Sequence, residues 1–189
     1  MKRVGASKAT LYPKRSPRSS GTVFSIMFID PGLDGTGWAY WRTLDTGAGR
    51  DRATLPEAHG VIRPSRKHGW QSASLDVCAA FAGVLLSIKP KNIVIEFPEL
   101  WASSAVSYAS TARGELFKVA YLVGGLAEVG SRNKTNLPVL ISPSEWKGQL
   151  KKDAMVYRIK RLFDETPEFP TNEHTLDAVG MGIAAQGAL

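Results

Sequence analysis

The 189-residue sequence contains one cysteine, Cys78, and therefore no internal disulfide. This cysteine lies in the apolar stretch Val77–Phe81, which predicts a buried and unreactive thiol. No cysteine and histidine spacing typical of zinc sites occurs, so a metal ion would have to be held mainly by oxygen ligands. No apolar stretch resembles a secretory signal or approaches transmembrane length, so we expect a cytoplasmic protein that does not enter a membrane.

Acidic residues are missing from the first 20 positions, which carry six of the 24 lysines and arginines. Without those six, 18 basic residues face 17 acidic ones, so the rest of the chain is nearly neutral at +1. The composition predicts a basic disordered tail at residues 1–20 and one folded domain at residues 21–189. Such a tail is either a passive, solubilising leader or an arm that binds phosphates.

The hydrophobic pattern predicts five strands and five helices. Strands are expected at 23–29, 36–42, 58–63, 93–96 and 138–141, and helices at 70–88, 115–129, 144–150, 152–164 and 172–187. The short glycine-rich turn after the first strand favours an antiparallel hairpin, whereas the helix at 70–88 favours a parallel crossover. We therefore expect an α/β fold whose five-stranded mixed sheet has three antiparallel and two parallel strands, with helices on both faces.

Two apolar runs end on a carboxylate. Asp30 follows the run 23–29 and opens a turn rich in glycine, and Glu96 ends the run 92–95. Two carboxylates at the ends of neighbouring buried strands repel each other unless a cation lies between them. The alternatives are that Asp30 merely caps its turn and that Glu96 pairs with a basic residue such as Arg113.

A third polar pair is expected on the last helix, where His174 and Asp177 are three residues apart and share a face. Thr171 is the predicted N-cap of that helix. Taken alone, such a pair is more often structural, but carboxylates with one histidine suit Mg²⁺ or Mn²⁺. Two such ions about 4 Å apart would activate a water and stabilise the leaving oxygen of a phosphodiester. His174 would either ligate the second ion or transfer a proton.

The sequence resembles the RuvC family of Holliday junction resolvases, which are ribonuclease H-like nucleases. The resemblance covers residues 23–187 and rests on five short motifs in the family's order and spacing: Phe28–Trp38, Ile93–Glu96, Thr111–Gly114, Pro143–Lys147 and Glu173–Gly180. It implies a ribonuclease H-like domain that cuts four-way DNA junctions by paired nicks, works as a homodimer and depends on Mg²⁺, with Mn²⁺ as a substitute.

The resemblance also implies roles for single residues. Asp30, Glu96 and Asp177 would be catalytic metal ligands, with His174 at a position that the family fills with an acid or a histidine. Four further residues would contact DNA, although each also has a structural interpretation as a solvated helix face or as core or dimer packing. They are Lys147 and Lys152 near the scissile bond, and Phe97 or Trp101 as the aromatic wedge at the junction centre. Arg113, in one of the matching motifs, is a further candidate contact.

Two other functions are compatible with parts of the pattern. The glycine-rich turn after Asp30 also resembles a phosphate loop of actin-like and sugar-kinase ATPases, but those proteins need two such lobes. A junction-binding protein without catalysis is the second alternative. The complete acidic set argues against it, because clustered carboxylates that lack a cation repel DNA phosphates.

Overall fold

The computed structural model describes residues 24–46, 53–65, 69–99, 114–133, 135–163, 170 and 172–189. The proposed basic tail at residues 1–20 lies outside these ranges. The described part begins at Phe24, two residues before the first strand.

One mixed sheet forms the centre of the domain. Its strands are β1 (Ile26–Asp30), β2 (Thr36–Trp41), β3 (Ala58–Ile62), β4 (Asn92–Glu96) and β5 (Val139–Ile141). They lie in the order β3-β2-β1-β4-β5. The pairs β1–β2 and β2–β3 are antiparallel, whereas β1–β4 and β4–β5 are parallel. The expected fold class, hairpin and crossover are all confirmed.

Five helices in the described residues cover the two faces of this sheet. They are α1 (Trp70–Ile88), α2 (Glu115–Arg132), α3 (Pro143–Trp146), α4 (Lys152–Phe163) and α5 (Glu173–Ala185). The prediction of a helix at 144–150 is wrong, because α3 ends at Trp146. Gly148 adopts a left-handed backbone with φ of 56°, which a continuing helix does not allow.

Strand alternation divides the apolar residues into two cores. Phe28 and Val94 face α3, α4 and α5, and their neighbours Met27 and Ile93 face α1 and α2. Because side chains alternate along a strand, Asp30 shares the face of Phe28, and Glu96 shares the face of Val94. Both carboxylates are therefore directed to the side of the sheet that α5 covers.

Small residues let α5 lie close to the sheet. A Cβ at Gly182 would overlap the indole of Trp41, a fully buried side chain in the first core. The indole cannot swing away without losing a hydrogen bond, because its Nε1 donates to the carbonyl of Thr54 at 2.9 Å. The helix that carries His174 and Asp177 is thus fixed at a short distance from β1 and β2.

Helix α1 differs from our expectation about membranes. By length and composition alone, α1 is long and apolar enough to cross a membrane. The prediction that no segment approaches transmembrane length is therefore wrong. In the fold it packs on α2 and on the sheet through Val77, Phe81 and Leu85. That packing is typical of a helix of the domain core. Much of its opposite side remains exposed.

We predict that Gly182→Ala lowers the free energy of unfolding by about 1–3 kcal/mol, because the added methyl group overlaps the Trp41 ring. Gly83→Ala is the matched control, since a Cβ at this exposed position of α1 meets nothing within 4 Å. It should be neutral or stabilise by up to about 1 kcal/mol. Urea unfolding of both variants checks the difference, and equal free energies would contradict the close packing of α5.

Candidate active site

Asp30 and Glu96 are brought side by side by the register of the parallel strands. Ile29 lies opposite Ile95 in the β1–β4 pair, so the next residues on the two strands are neighbours at the same edge. Asp30 is buried and Glu96 is partly buried. Burial disfavours the charged form of Glu96, and repulsion from the nearby Asp30 disfavours it further. Placing the two carboxylates side by side therefore costs free energy.

The first turn of α5 lies directly on the turn that follows β1. The N-cap is Asn172, whose Oδ1 accepts the N–H of Thr175 at 3.2 Å; the predicted cap, Thr171, lies outside the described residues. A Cβ at Gly32 would overlap the imidazole of His174, and one at Gly37 would overlap the backbone of His174. Glycine at both positions is therefore required for His174 to reach Asp30.

A short hydrogen bond joins α5 to β1, with 2.6 Å between His174 Nδ1 and Asp30 Oδ2. This hydrogen bond raises the pKa of His174 above its ordinary value, against the opposing effect of burial. Burial in turn raises the pKa of Asp30, and the hydrogen bond with His174 opposes that rise. The two side chains thus retain a shared proton at a pH where a free histidine would lose it.

Glu96 is held by the indole of Trp146, whose Nε1 donates to Glu96 Oε2 at 2.6 Å. Burial is the main reason that the pKa of Glu96 rises from its ordinary 4.5 to about 7, with the negative charge of Asp30 second. The Trp146 ring also packs beneath Gly180 of α5, where a Cβ would lie 3.0 Å from the ring. Trp146 therefore connects β4, α3 and the site helix.

Asp177 has one carboxylate oxygen that is buried and has no hydrogen-bond partner in the described part of the chain. Its Oδ2 lies 3.7 Å from Lys152 Nζ, and Lys152 also pairs with Glu173. Its Oδ1 is buried and accepts no hydrogen bond within the described part of the chain. A buried carboxylate oxygen without a donor is costly, so Asp177 is suited to an added cation.

The residues present fit a divalent cation in their chemistry. Asp30, Glu96 and Asp177 are oxygen donors from three separate segments, and the charges of Asp30 and Asp177 each raise the pKa of Glu96 further beyond the effect of burial. Among the described residues, however, no three His, Cys, Asp or Glu side chains are grouped closely enough to hold one ion as they stand. Each carboxylate instead contacts a protein side chain: Asp30 is hydrogen-bonded to His174, Glu96 accepts from Trp146, and Asp177 forms an ion pair with Lys152.

The residues expected to contact DNA are placed unequally. Lys147 lies beside the site, with its Nζ 5.0 Å from the centre of the Trp146 ring, and its charge counteracts the burial that raises the pKa of Glu96. Lys152 binds the acidic residues of α5. The side chain of Phe97, next to Glu96, is 40% exposed and so is not a core residue. Trp101 and Arg113 lie outside the described residues.

Three contributors to the site were missed by the sequence analysis: Trp146, Gly32 and Glu173. Glu173 contacts Lys152, whose ammonium also pairs with Asp177. The signal available for Trp146 was its place beside Lys147 in a motif after a strand. No local pattern indicates that its indole reaches Glu96, 50 residues away.

Comparison with solved structures finds proteins of the same fold. RuvC from Thermus thermophilus matches with a TM-score of 0.61 at 15% identity, over 85% of this chain and 92% of RuvC. A structure of the same protein in complex with a Holliday junction substrate gives a TM-score of 0.64 at the same identity and coverage. The yeast mitochondrial Holliday junction resolvase gives 0.52 at 16% identity, over 87% of this chain and 80% of that protein.

No family model matches the sequence, and no curated protein matches it either. The resemblance to RuvC drawn from the motifs is confirmed in the fold. The chain has a RuvC-like, ribonuclease H-like architecture with very divergent sequence.

The raised pKa of Glu96 predicts a pH dependence of stability in chelator. Between pH 4.5 and about 7 the folded protein retains a proton that the unfolded chain releases, so stability falls as the pH rises through this window. Glu96→Gln cannot ionise and should be more stable than the parent above pH 7, by at most about 3 kcal/mol. The two should converge below pH 4.5. Thermal unfolding across this range checks the prediction, and parallel profiles would contradict it.

Proposed function

We propose that this protein is a Mg²⁺-dependent, structure-selective DNA endonuclease that resolves four-way junctions by paired nicks. The observation that carries the proposal is the convergence of three carboxylates from β1, β4 and α5, of which Asp177 has a buried oxygen that finds no donor among the described residues. The fold shared with RuvC and with the yeast resolvase supports the same class of reaction.

In this proposal the chain's own residues hold the cation and orient the phosphodiester. Asp30, Glu96 and Asp177 provide oxygen ligands, and His174 provides a nitrogen. A divalent cation held there would neutralise charge on the phosphodiester and favour ionisation of the attacking water. Lys147 lies close enough to the carboxylates to interact with Glu96, and its ammonium is suited to a DNA phosphate. Trp146 keeps Glu96 directed at the site.

A junction-binding protein without catalysis is the second candidate. It is favoured by one observation, namely that no group of three ligands stands ready among the described residues. The two candidates differ in their response to Mg²⁺: only the nuclease nicks a bound junction when the ion is added.

We predict that Asp30→Asn or Asp177→Asn lowers junction cleavage by at least about a hundredfold, because each removes a carboxylate ligand. Binding of the four-way junction should be unchanged or tighter, since negative charge is lost beside the DNA. The assay compares a labelled four-way junction with linear duplex in Mg²⁺, Mn²⁺ or chelator. Asp34→Asn, an exposed carboxylate in the same turn as Asp30, is the matched control and should cut normally. Cleavage by Asp30→Asn at the parental rate would contradict the assignment.

We further propose that the nuclease is a homodimer whose interface is the exposed side of α1 and α2. Four large apolar side chains on this side are more than half exposed: Leu75, Leu86, Phe117 and Tyr121. Between the helices lies an apolar groove of about 340 Å³, lined in part by Leu75, Tyr121, Gly124 and Gly125. We call this surface the α1–α2 face.

The α1–α2 face suits a second copy of the chain because it carries both projections and a recess. A twofold interface needs such self-complementarity, since each copy presents the same surface to the other. Asp76 is the one charged residue of the 19-residue α1, so few charges would lose solvent. The face lies on the opposite side of the sheet from Asp30 and Glu96. Both sites of a dimer would therefore remain open to DNA.

We predict that Leu75→Glu shifts the protein from dimer to monomer, because the new charge would be buried at the interface. On a cruciform plasmid the variant should accumulate nicked circles, whereas the parent produces linear DNA. Leu137→Glu is the matched control, because Leu137 is an exposed leucine that precedes β5, outside this face. Light scattering gives the mass. A monomeric parent, or a dimeric Leu75→Glu variant, would contradict the proposed interface.

A further inference from the structure

Lys152 and the acidic residues of α5 form a cluster that the proposed cleavage does not explain. Lys152 opens α4, and its Nζ lies between Glu173 and Asp177, which are four residues apart on one side of α5. The two acids differ in burial. The side chain of Glu173 is 67% exposed, whereas that of Asp177 is 13% exposed.

The difference in burial separates the roles of the two ion pairs. The pair with Glu173 is exposed, and such pairs contribute little to stability. The pair with Asp177 brings positive charge to a nearly buried carboxylate whose other oxygen has no donor in the described part of the chain. Such a charge compensates in part for the burial of Asp177.

A divalent cation at Asp177 would lie close to this lysine, whichever carboxylate oxygen it used. Lys152 Nζ lies 3.7 Å from Asp177 Oδ2, so an ion that approaches this carboxylate meets a positive charge that opposes its binding. When displaced, the ammonium retains Glu173 as an acceptor and does not have to enter solvent unpaired.

We propose that Lys152 is a built-in counter-ion that competes with the divalent cation for Asp177, and that Glu173 is the acceptor that retains Lys152 when the ion binds. This inference rests on the proposed function, because it takes Asp177 as a metal ligand. It assigns Lys152 and Glu173 a positioning role: they set the ion concentration at which the site fills.

The test measures Mn²⁺ binding by isothermal titration calorimetry without DNA, at fixed pH and ionic strength. Lys152→Met should bind Mn²⁺ roughly fivefold more tightly than the parent, because the competing charge is gone. Lys151→Met is the matched control. It removes the same charge from the preceding, exposed residue and should change the affinity by about twofold at most.

Glu173→Gln provides a test with the opposite sign. Without its second acceptor Lys152 should stay on Asp177, so Mn²⁺ should bind roughly threefold more weakly than to the parent. In a Lys152→Met background the same substitution should have a much smaller effect. A simple loss of negative charge near the site would weaken binding equally in both backgrounds, and that result would overturn the exchange.

The outcomes separate this inference from the proposed function. If the parent and Asp177→Asn give the same Mn²⁺ isotherm, the site does not use Asp177 and the proposed metal centre fails. If Asp177→Asn abolishes binding but Lys152→Met binds no more tightly than Lys151→Met, the metal centre stands and the counter-ion role is wrong. Thermal unfolding in chelator shows whether each variant is folded before it is titrated.

Discussion

The electrostatic cost of placing three carboxylates around the ends of β1 and β4 governs the architecture of this site. Asp30 is buried, Glu96 is partly buried and raised to a pKa of about 7, and Asp177 is nearly buried. A stable fold tolerates such a cluster only if each charge is neutralised, protonated or paired. Here Asp30 is hydrogen-bonded to an imidazole, Glu96 accepts an indole N–H, and Asp177 forms an ion pair with an ammonium. Each of these contacts can be exchanged for a cation, as the proposed function requires.

The position of α5 determines whether these groups can meet at all. Glycines on both elements permit the close contact between α5 and β2. Gly37 of β2 lies beneath the start of the helix, and Gly182 of α5 lies above Trp41. A single methyl group at either point would push the helix away from the sheet. Since hydrogen-bond geometry fails within a few tenths of an ångström, the packing of the helix and the chemistry of the site are set by the same residues.

The fold was largely predictable because each element carries its own signal. Apolar alternation and runs marked the strands, helical periodicity marked the helices, and the short turn after Asp30 specified the antiparallel hairpin. The ends of the helices were harder to predict. Gly148 has a left-handed backbone, and such a residue cannot be recognised from spacing alone. The four residues proposed for the site were also selected from the sequence, because two of them are carboxylates at the ends of apolar runs, and their roles stay a prediction. The hydrogen bond from Trp146 to Glu96 was not predicted, because it depends on tertiary packing between residues 50 positions apart.

The two sides of the sheet have opposite surface chemistry, and this division bears on how the domain would act on a branched substrate. The side with α5 gathers acidic ligands and nearby lysines, a combination suited to a cation and a phosphate backbone. The other side exposes Leu75, Phe117 and Tyr121 over an apolar groove. Large contiguous apolar surface is rare on a monomer, and this is the reason that we propose association with a like surface. Because the sheet separates the two, a twofold contact through α1 and α2 would leave both acidic sites facing outward, as nicks in two strands of one junction require.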